Sequence, residues 1–263
     1  MSQAAGYDPS FLGASVPLPV PSQTVRTLPS THFTVLLDPA RRLAAATAVN
    51  IDGAQLVDLE RGDDWHLDPR VPADEQAGPE LYARNDLDRG HLVRRRDPVW
   101  GDLVTARQAN FDTFAYPNAA PQASAFNQGE LLWVGLEDHV LEYARAYGHR
   151  LSVLTGPVLA DDDPVYRGVQ IPRRFWKVAA WASAEDLRAT AFVLDQKPFV
   201  RTLQVEVPDL EPFRTFQVPV ADVQELTGID LGPLVDADVL APVGARSDRA
   251  RWAAVTALEQ IRL

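Results

Sequence analysis

Asp88, Arg89, Gly90 and His91 follow one another without interruption, and together these four residue types could cleave a phosphodiester. An imidazole takes a proton from water near neutral pH, a guanidinium forks onto phosphate oxygens, and a carboxylate can hold a hydrated cation. A glycine among them lets substrate approach the main chain. Arg84, Arg94, Arg95 and Arg96 surround the quartet, opposed locally by Asp86, Asp88 and Asp97. The window from Tyr82 to Trp100 is therefore basic, although the 263-residue chain has a formal net charge of -11. Such a balance counts against tight binding of nucleic acid by the whole surface. A basic cleft on an acidic body reconciles the two, because acids gather elsewhere, at Asp161 to Asp163 and through Glu206, Asp209 and Glu211.

Composition removes several other chemistries. The chain has no cysteine, so no disulfide, thiolate nucleophile or cysteine zinc site is available. No Gly-x-Ser-x-Gly elbow and no Gly-Lys-Ser/Thr phosphate loop occurs, which excludes the common serine hydrolases and nucleoside triphosphatases. No apolar run reaches the ~20 residues of a membrane span, and Met1 to Ser30 lacks the pattern of a signal peptide. The expectation is no membrane partner, and a cytoplasmic location or release without a cleaved signal. His139 and Glu142 lack a third ligand, and Asp161-Asp162-Asp163 lacks the glycine and terminal glutamate of a calcium loop; both read as solvated charge.

The setting Leu87-Asp88-Arg89-Gly90-His91-Leu92 resembles the signature of the DNA/RNA non-specific endonucleases, magnesium-dependent ββα-metal nucleases. The resemblance continues in order through Asn118-Ala119-Ala120-Pro121-Gln122, Asn127-Gln128-Gly129, Trp133 and Leu136-Glu137-Asp138. Trp65 with Asp68-Pro69, Thr155-Gly156-Pro157, Ile171-Pro172, Trp176-Lys177-Val178, and Phe192 with Asp195-Gln196 extend it over about residues 31 to 231.

It implies an α+β fold in which a mixed central β-sheet with helices is crossed by a ββα-metal finger carrying the active site. By that likeness His91 is the general base, and Arg89 and Arg61 stabilise charge. Asn127 binds magnesium (manganese being the alternative ion) through its side-chain oxygen, and Glu137 and Asp88 hold the waters of the metal. Asn118, Arg94 and Arg95 would touch DNA or RNA, and Asn118 would equally suit a turn before Ala119. The family also implies a homodimer. The Asn127 to Trp133 interval is two residues longer than the family's, which on a continuous helix turns a side chain by ~200°. Glu130 is thus a rival to Glu137. Asp63 stands where the family's phosphate arginine is expected, so Arg61 is chosen by proximity, and Arg145 is the stand-in for another family arginine. Two alternatives to an active endonuclease follow: a catalytically impaired nuclease fold that only binds nucleic acid or protein, and an effector restrained by an inhibitory partner.

The positioning elements are read from periodicity. Residues 1–30, with five prolines, are expected to form an N-terminal arm before a nuclease domain over 31–245. Thr31 to Leu37 and Leu43 to Asn50 suit a hairpin, although the alanines of the second would equally suit a helix. Asp63 to Gly90 reads as a long loop delivering the motif. Leu132, Leu136, Val140, Tyr143 and Tyr147 mark an amphipathic helix stopped by Gly148. Strands are expected at Leu151 to Leu154, ending in a Gly156-Pro157 turn, at Phe175 to Trp181, and at Ala189 to Leu194. Pro219 to Gly228 is expected as a short helix, and residues 246–263 as a last helix capped by Ser247.

Overall fold

Runs of β-branched, aromatic and alanine residues become strands in the computed structural model, which describes residues 6–123, 141–142, 144–183, 186–196, 214–240, 252–255 and 260–261. In chain order these are β1 Arg26–Ser30, β2 Phe33–Asp38, β3 Leu43–Asp52, β4 Leu87–His91, β5 Ala119–Ala123 and β6 Arg150–Val158. There follow β7 Val165–Tyr166, β8 Val169–Gln170, β9 Arg174–Ala182, β10 Leu187–Asp195, β11 Arg214–Val218 and β12 Ala253–Val255. Eight of them form one sheet in the order β1-β2-β3-β6-β9-β10-β11-β12, while β4 pairs with β5 and β7 with β8. These ladders are antiparallel, and among the described residues parallel pairing is confined to the isolated bridges His66–Ala115 and Ala189–Asp238. Helices α1 Pro79–Tyr82, α2 Leu103–Asp112 and α3 Val220–Thr227 complete an α+β fold.

The large sheet is covered on both faces, which explains its least strand-like sequence. All ten residues of β3 are buried. Val49 and Ile51 enter one core with Phe33, Phe175 and Phe192, and Ala46 and Ala48 enter the other with Trp176, Val193 and Val218. Strands buried on both sides lose polar alternation, so Leu43-Ala44-Ala45-Ala46 looks helical only when read alone.

The second core corrects the expected arm. Residues 6–25 lie against the sheet: Tyr7 and Val16 are buried there, and Leu12, Leu18 and Val25 pack around them. The Tyr7 hydroxyl donates to the Val16 carbonyl at 2.9 Å, the Asp8 N–H to Asn50 Oδ1 at 2.7 Å, and Val20 and Asp230 exchange backbone bonds at 3.0 Å. Prolines favour an extended, donor-poor chain, which here serves as a cover instead of a linker. Residues 26–30 are strand β1.

Three other expectations shift. β6 runs through Gly156 and Pro157 to Val158 instead of turning there. It pairs with β3 only as far as Thr155, and beyond it with β9 alone, so proline falls where one edge needs no donor. The close of the chain holds a strand, β12, in place of helix at 253–255; Trp252 packs on Phe216 with ring centroids 5.6 Å apart and donates to Asp222 at 2.8 Å. Tertiary pairing outweighs local propensity there. Asp63 to Gly90 is not all loop, because it holds α1 and the first four residues of β4. The helix expected from Glu130 is described at 141–142 and 144–147, before Gly148 in the left-handed region at φ 64°; its earlier part and Ser247 lie outside the described residues.

Candidate active site

The Asp-Arg-Gly-His quartet is borne on strand β4, and its neighbour β5 sets Asp88 opposite Gln122, Arg89 opposite Pro121, Gly90 opposite Ala120 and His91 opposite Ala119. Side chains alternate along a strand. Arg89 and His91 therefore share one face, where both meet Trp65, and Asp88 falls on the other with Gly90. The four functions do not converge on a single point. Gly90 also serves a neighbour rather than a substrate: a Cβ there would lie 2.0 Å from Gln122 Cδ and 2.1 Å from its Oε1. The buried Gln122 amide fills the space that glycine leaves, and its Nε2 has no hydrogen-bond partner among the described residues.

Asn118 has no surface to offer a substrate. Fully buried, it accepts the Val93 N–H at 2.8 Å through Oδ1 and donates through Nδ2 to the carbonyls of Val93 at 2.9 Å and Thr113 at 3.0 Å. Its own carbonyl accepts the Leu92 N–H at 2.9 Å. Asn118 is thus a clip that holds the chain leaving β4 against the turn entering β5, which is the turn-residue alternative rather than the substrate contact.

His91 sits in an aromatic wall. Its ring centroid is 4.7 Å from that of Trp65 and 5.2 Å from that of Phe114, the latter edge-on. Trp65 also touches Phe114 and Tyr116, and Tyr82 stacks on Tyr116. The His91 residue is half-buried, yet its Nε2 is buried and has no hydrogen-bond partner among the described residues. Burial, and then the positive charges of Arg61, Arg95, Arg89 and Arg94, push its pKa down to about 3. A neutral imidazole therefore persists across the physiological range, able to accept a proton. Burial drives the Tyr82 hydroxyl the other way, well above the usual phenol range, so it stays protonated; that hydroxyl is buried without a partner too.

The guanidinium groups arrive from three segments. Arg89 lies over the Trp65 ring at 5.3 Å and pairs with Asp63 at 3.4 Å. Arg95 donates to the Leu59 carbonyl and to Asn110 Oδ1, both at 3.1 Å, which ties the loop carrying exposed Arg61 beside the motif. Arg96 and Arg145 both reach Asp58, at 3.2 and 2.7 Å. Arg145, expected as a replacement phosphate arginine, is thus held in an ion pair with Asp58.

Among the sequence-predicted site residues, the structure brings together His91, Arg89, Arg61, Arg94 and Arg95, sets Asp88 on the reverse of the strand, and removes Asn118 to the interior. Asn127, Glu137 and Glu130 lie outside the described residues. No group of three imidazole, carboxylate or thiolate side chains among the described residues is placed to hold a metal ion. Sequence reasoning gave no role to Trp65, Phe114, Tyr116, Tyr82 or Gln122. The aromatic spacing in Phe111-Asp112-Thr113-Phe114-Ala115-Tyr116 was the available signal for part of that wall.

A strand-borne imidazole kept neutral by burial, backed by aromatic rings and neighboured by guanidinium groups, thus sits on an antiparallel α+β scaffold. The chain belongs to the DNA/RNA non-specific endonuclease family, whose model matches residues 14–238. It is 42% identical over 254 residues to the uncharacterised protein y4fB of Sinorhizobium fredii, an alignment covering 85% of this chain and 38% of that one. Mitochondrial endonuclease G of Bos taurus is 27% identical over 195 residues, covering 69% and 58%. The salivary endonuclease of Lutzomyia longipalpis is 29% identical over 136 residues, covering 48% and 31%. The chain thus spans less than two thirds of the length of each of these relatives. A chain in the structure of the EndoG/EndoGI complex shares the fold, with a TM-score of 0.59 at 22% identity over 77% of this chain and 84% of that one.

Proposed function

We propose that this chain is a magnesium-dependent endonuclease that hydrolyses phosphodiester bonds of DNA and RNA with little sequence preference. The observation carrying the proposal is His91: a neutral imidazole whose buried Nε2 has no hydrogen-bond partner among the described residues, with guanidinium groups close enough to bear on its charge. In the free protein those charges oppose protonation of the ring. A bound phosphodiester offsets part of the repulsion, so His91 becomes more basic as substrate arrives, when it must take a proton from the attacking water. Arg89 and Arg61 stabilise the charge that gathers on the phosphoryl oxygens. Backbone recognition by such groups carries no base information.

The donor set supports magnesium over ions that require a full protein cage. Asn127 would hold the ion and Glu137 its waters, since magnesium keeps much of its hydration and accepts few protein oxygens; Asp88, on the reverse face of β4, is not placed to join them. Bound there, it would supply Lewis-acid stabilisation of the phosphoryl charge.

Plasmid cleavage in magnesium, with a chelator control, tests the reading. His91→Ala should lower the rate by about 10²- to 10⁴-fold, the usual worth of a general base, and Asn127→Ala should abolish the magnesium response with the fold intact. Cleavage that survives His91→Ala sinks the assignment; binding without cleavage by the native chain identifies a binding module.

A further inference from the structure

Next to the aromatic wall around His91, α2 presents an arrangement that packing does not require. Phe111 stacks on His66 with ring centroids 4.3 Å apart and planes within 9° of parallel, yet 46% of Phe111 stays exposed. The imidazole is fixed in place by its Nδ1, which bonds the Asp64 carbonyl at 2.9 Å. Arg107 precedes Phe111 by four residues, so both stand on one face of the helix. Its guanidinium forms no hydrogen bond or ion pair with the described residues, and the residue is exposed. The site lies close by, for His66 follows Trp65, which touches His91, and Phe114, which also touches His91, is three residues beyond Phe111. Trp65 and His66 are consecutive, so the stacked pair flanks the wall that His91 rests against.

We propose that Phe111 and His66 form a stacking platform for one unpaired base of a bound strand, with Arg107 against the neighbouring phosphate. Stacking combined with a cation beside the backbone is how proteins hold single-stranded nucleic acid without reading its sequence. The platform gives the enzyme a subsite for a base next to the cleaved bond, and with it a preference for single-stranded or locally opened substrate. This rests on the endonuclease reading above.

The test measures binding and cleavage separately. Fluorescein-labelled oligothymidylate is titrated by anisotropy against the full chain in chelator, using strands with a single abasic site moved one position at a time. The native protein should lose about 5- to 150-fold in affinity when the missing base is at one particular position, the usual worth of one stacked base. Phe111→Ala should lose as much on the intact strand and become indifferent to that abasic site, with Phe111→Trp restoring both. Arg107→Ala should weaken all strands alike and flatten the salt dependence. Phe111→Ala binding as tightly as native protein, an abasic penalty that persists in it, or no binding of single strands by the native chain would each overturn the platform. Absent cleavage in magnesium with this binding pattern intact would instead overturn the endonuclease reading alone.

Discussion

His91 makes a prediction about pH whose sign follows from its surroundings. In the folded chain burial, and then the neighbouring guanidinium groups, push its pKa down from an ordinary 6.5 to about 3. An ordinary histidine base would lose activity below about pH 6; here kcat/KM, which reports the free enzyme, should hold through pH 6 and fall only below about pH 4. A pH–rate profile with its acid limb near 6.5 would show the ring to be less buried than described. The same shift acts on stability. Between 6.5 and 3 the unfolded chain binds a proton that the folded chain refuses, so the contribution is fully present above 6.5 and lost as pH falls toward 3. Denaturant titrations should show a limiting slope of about 1.4 kcal/mol per pH unit in that window, reduced in His91→Gln. Gly90 offers a second test. Gly90→Ala should cost about 1 to 3 kcal/mol by overlap with the Gln122 amide, and Gln122→Ala should relieve much of that cost in the double variant. Additive losses would mean that the two side chains do not compete for one space.

At the scale of elements, the hairpin β4–β5 does the positioning, and Asn118 closes it. Replacing Asn118 by alanine removes one acceptor and two donated bonds from the interior and leaves their partners unpaired. Each buried orphan costs about 1 to 3 kcal/mol, so with three of them Asn118→Ala should lose at least about 3 kcal/mol in urea unfolding and reduce turnover through a loosened β4. Unchanged stability together with a raised KM would restore Asn118 as a substrate contact. The elements were unequally legible. α3 was plain because Pro219 opens it and Gly228, at φ 67°, closes it. Strands β9 and β10 were plain from their apolar, β-branched and aromatic content. The periodicity does not announce α2: its exposed side carries Leu103, Val104 and Phe111 while its buried positions are Ala106 and Ala109, so the usual contrast between faces is missing.

For the whole molecule, the main consequence is that the sheet needs covers on both faces. Residues 6–25 supply one, and removing residues 1–25 uncovers the apolar surface beneath Tyr7 and Val16. At ~1.5 to 3 kcal/mol for each large apolar side chain returned to water, the loss from those two alone is about 3 to 6 kcal/mol, much of a domain's typical stability. Thermal unfolding should show a much lower midpoint, or the shortened chain should aggregate. A soluble product with an unchanged midpoint would mean that the segment is an arm after all.

Local chemistry determined a good deal by itself. The run Asp88-Arg89-Gly90-His91 and the ordered motifs after it were enough to expect an α+β nuclease fold, its histidine and its basic surroundings, because residue types and strict local spacing survive in a linear reading. Which way those residues face was decided in three dimensions. Pleating of β4 turned Asp88 away from His91, and packing across the hairpin gave Gly90 to Gln122 and Asn118 to Val93. The burial of the His91 ring draws on Trp65 and Phe114, which lie more than twenty residues to either side of it. Desolvation sums over neighbours in space, and only folding chooses those neighbours.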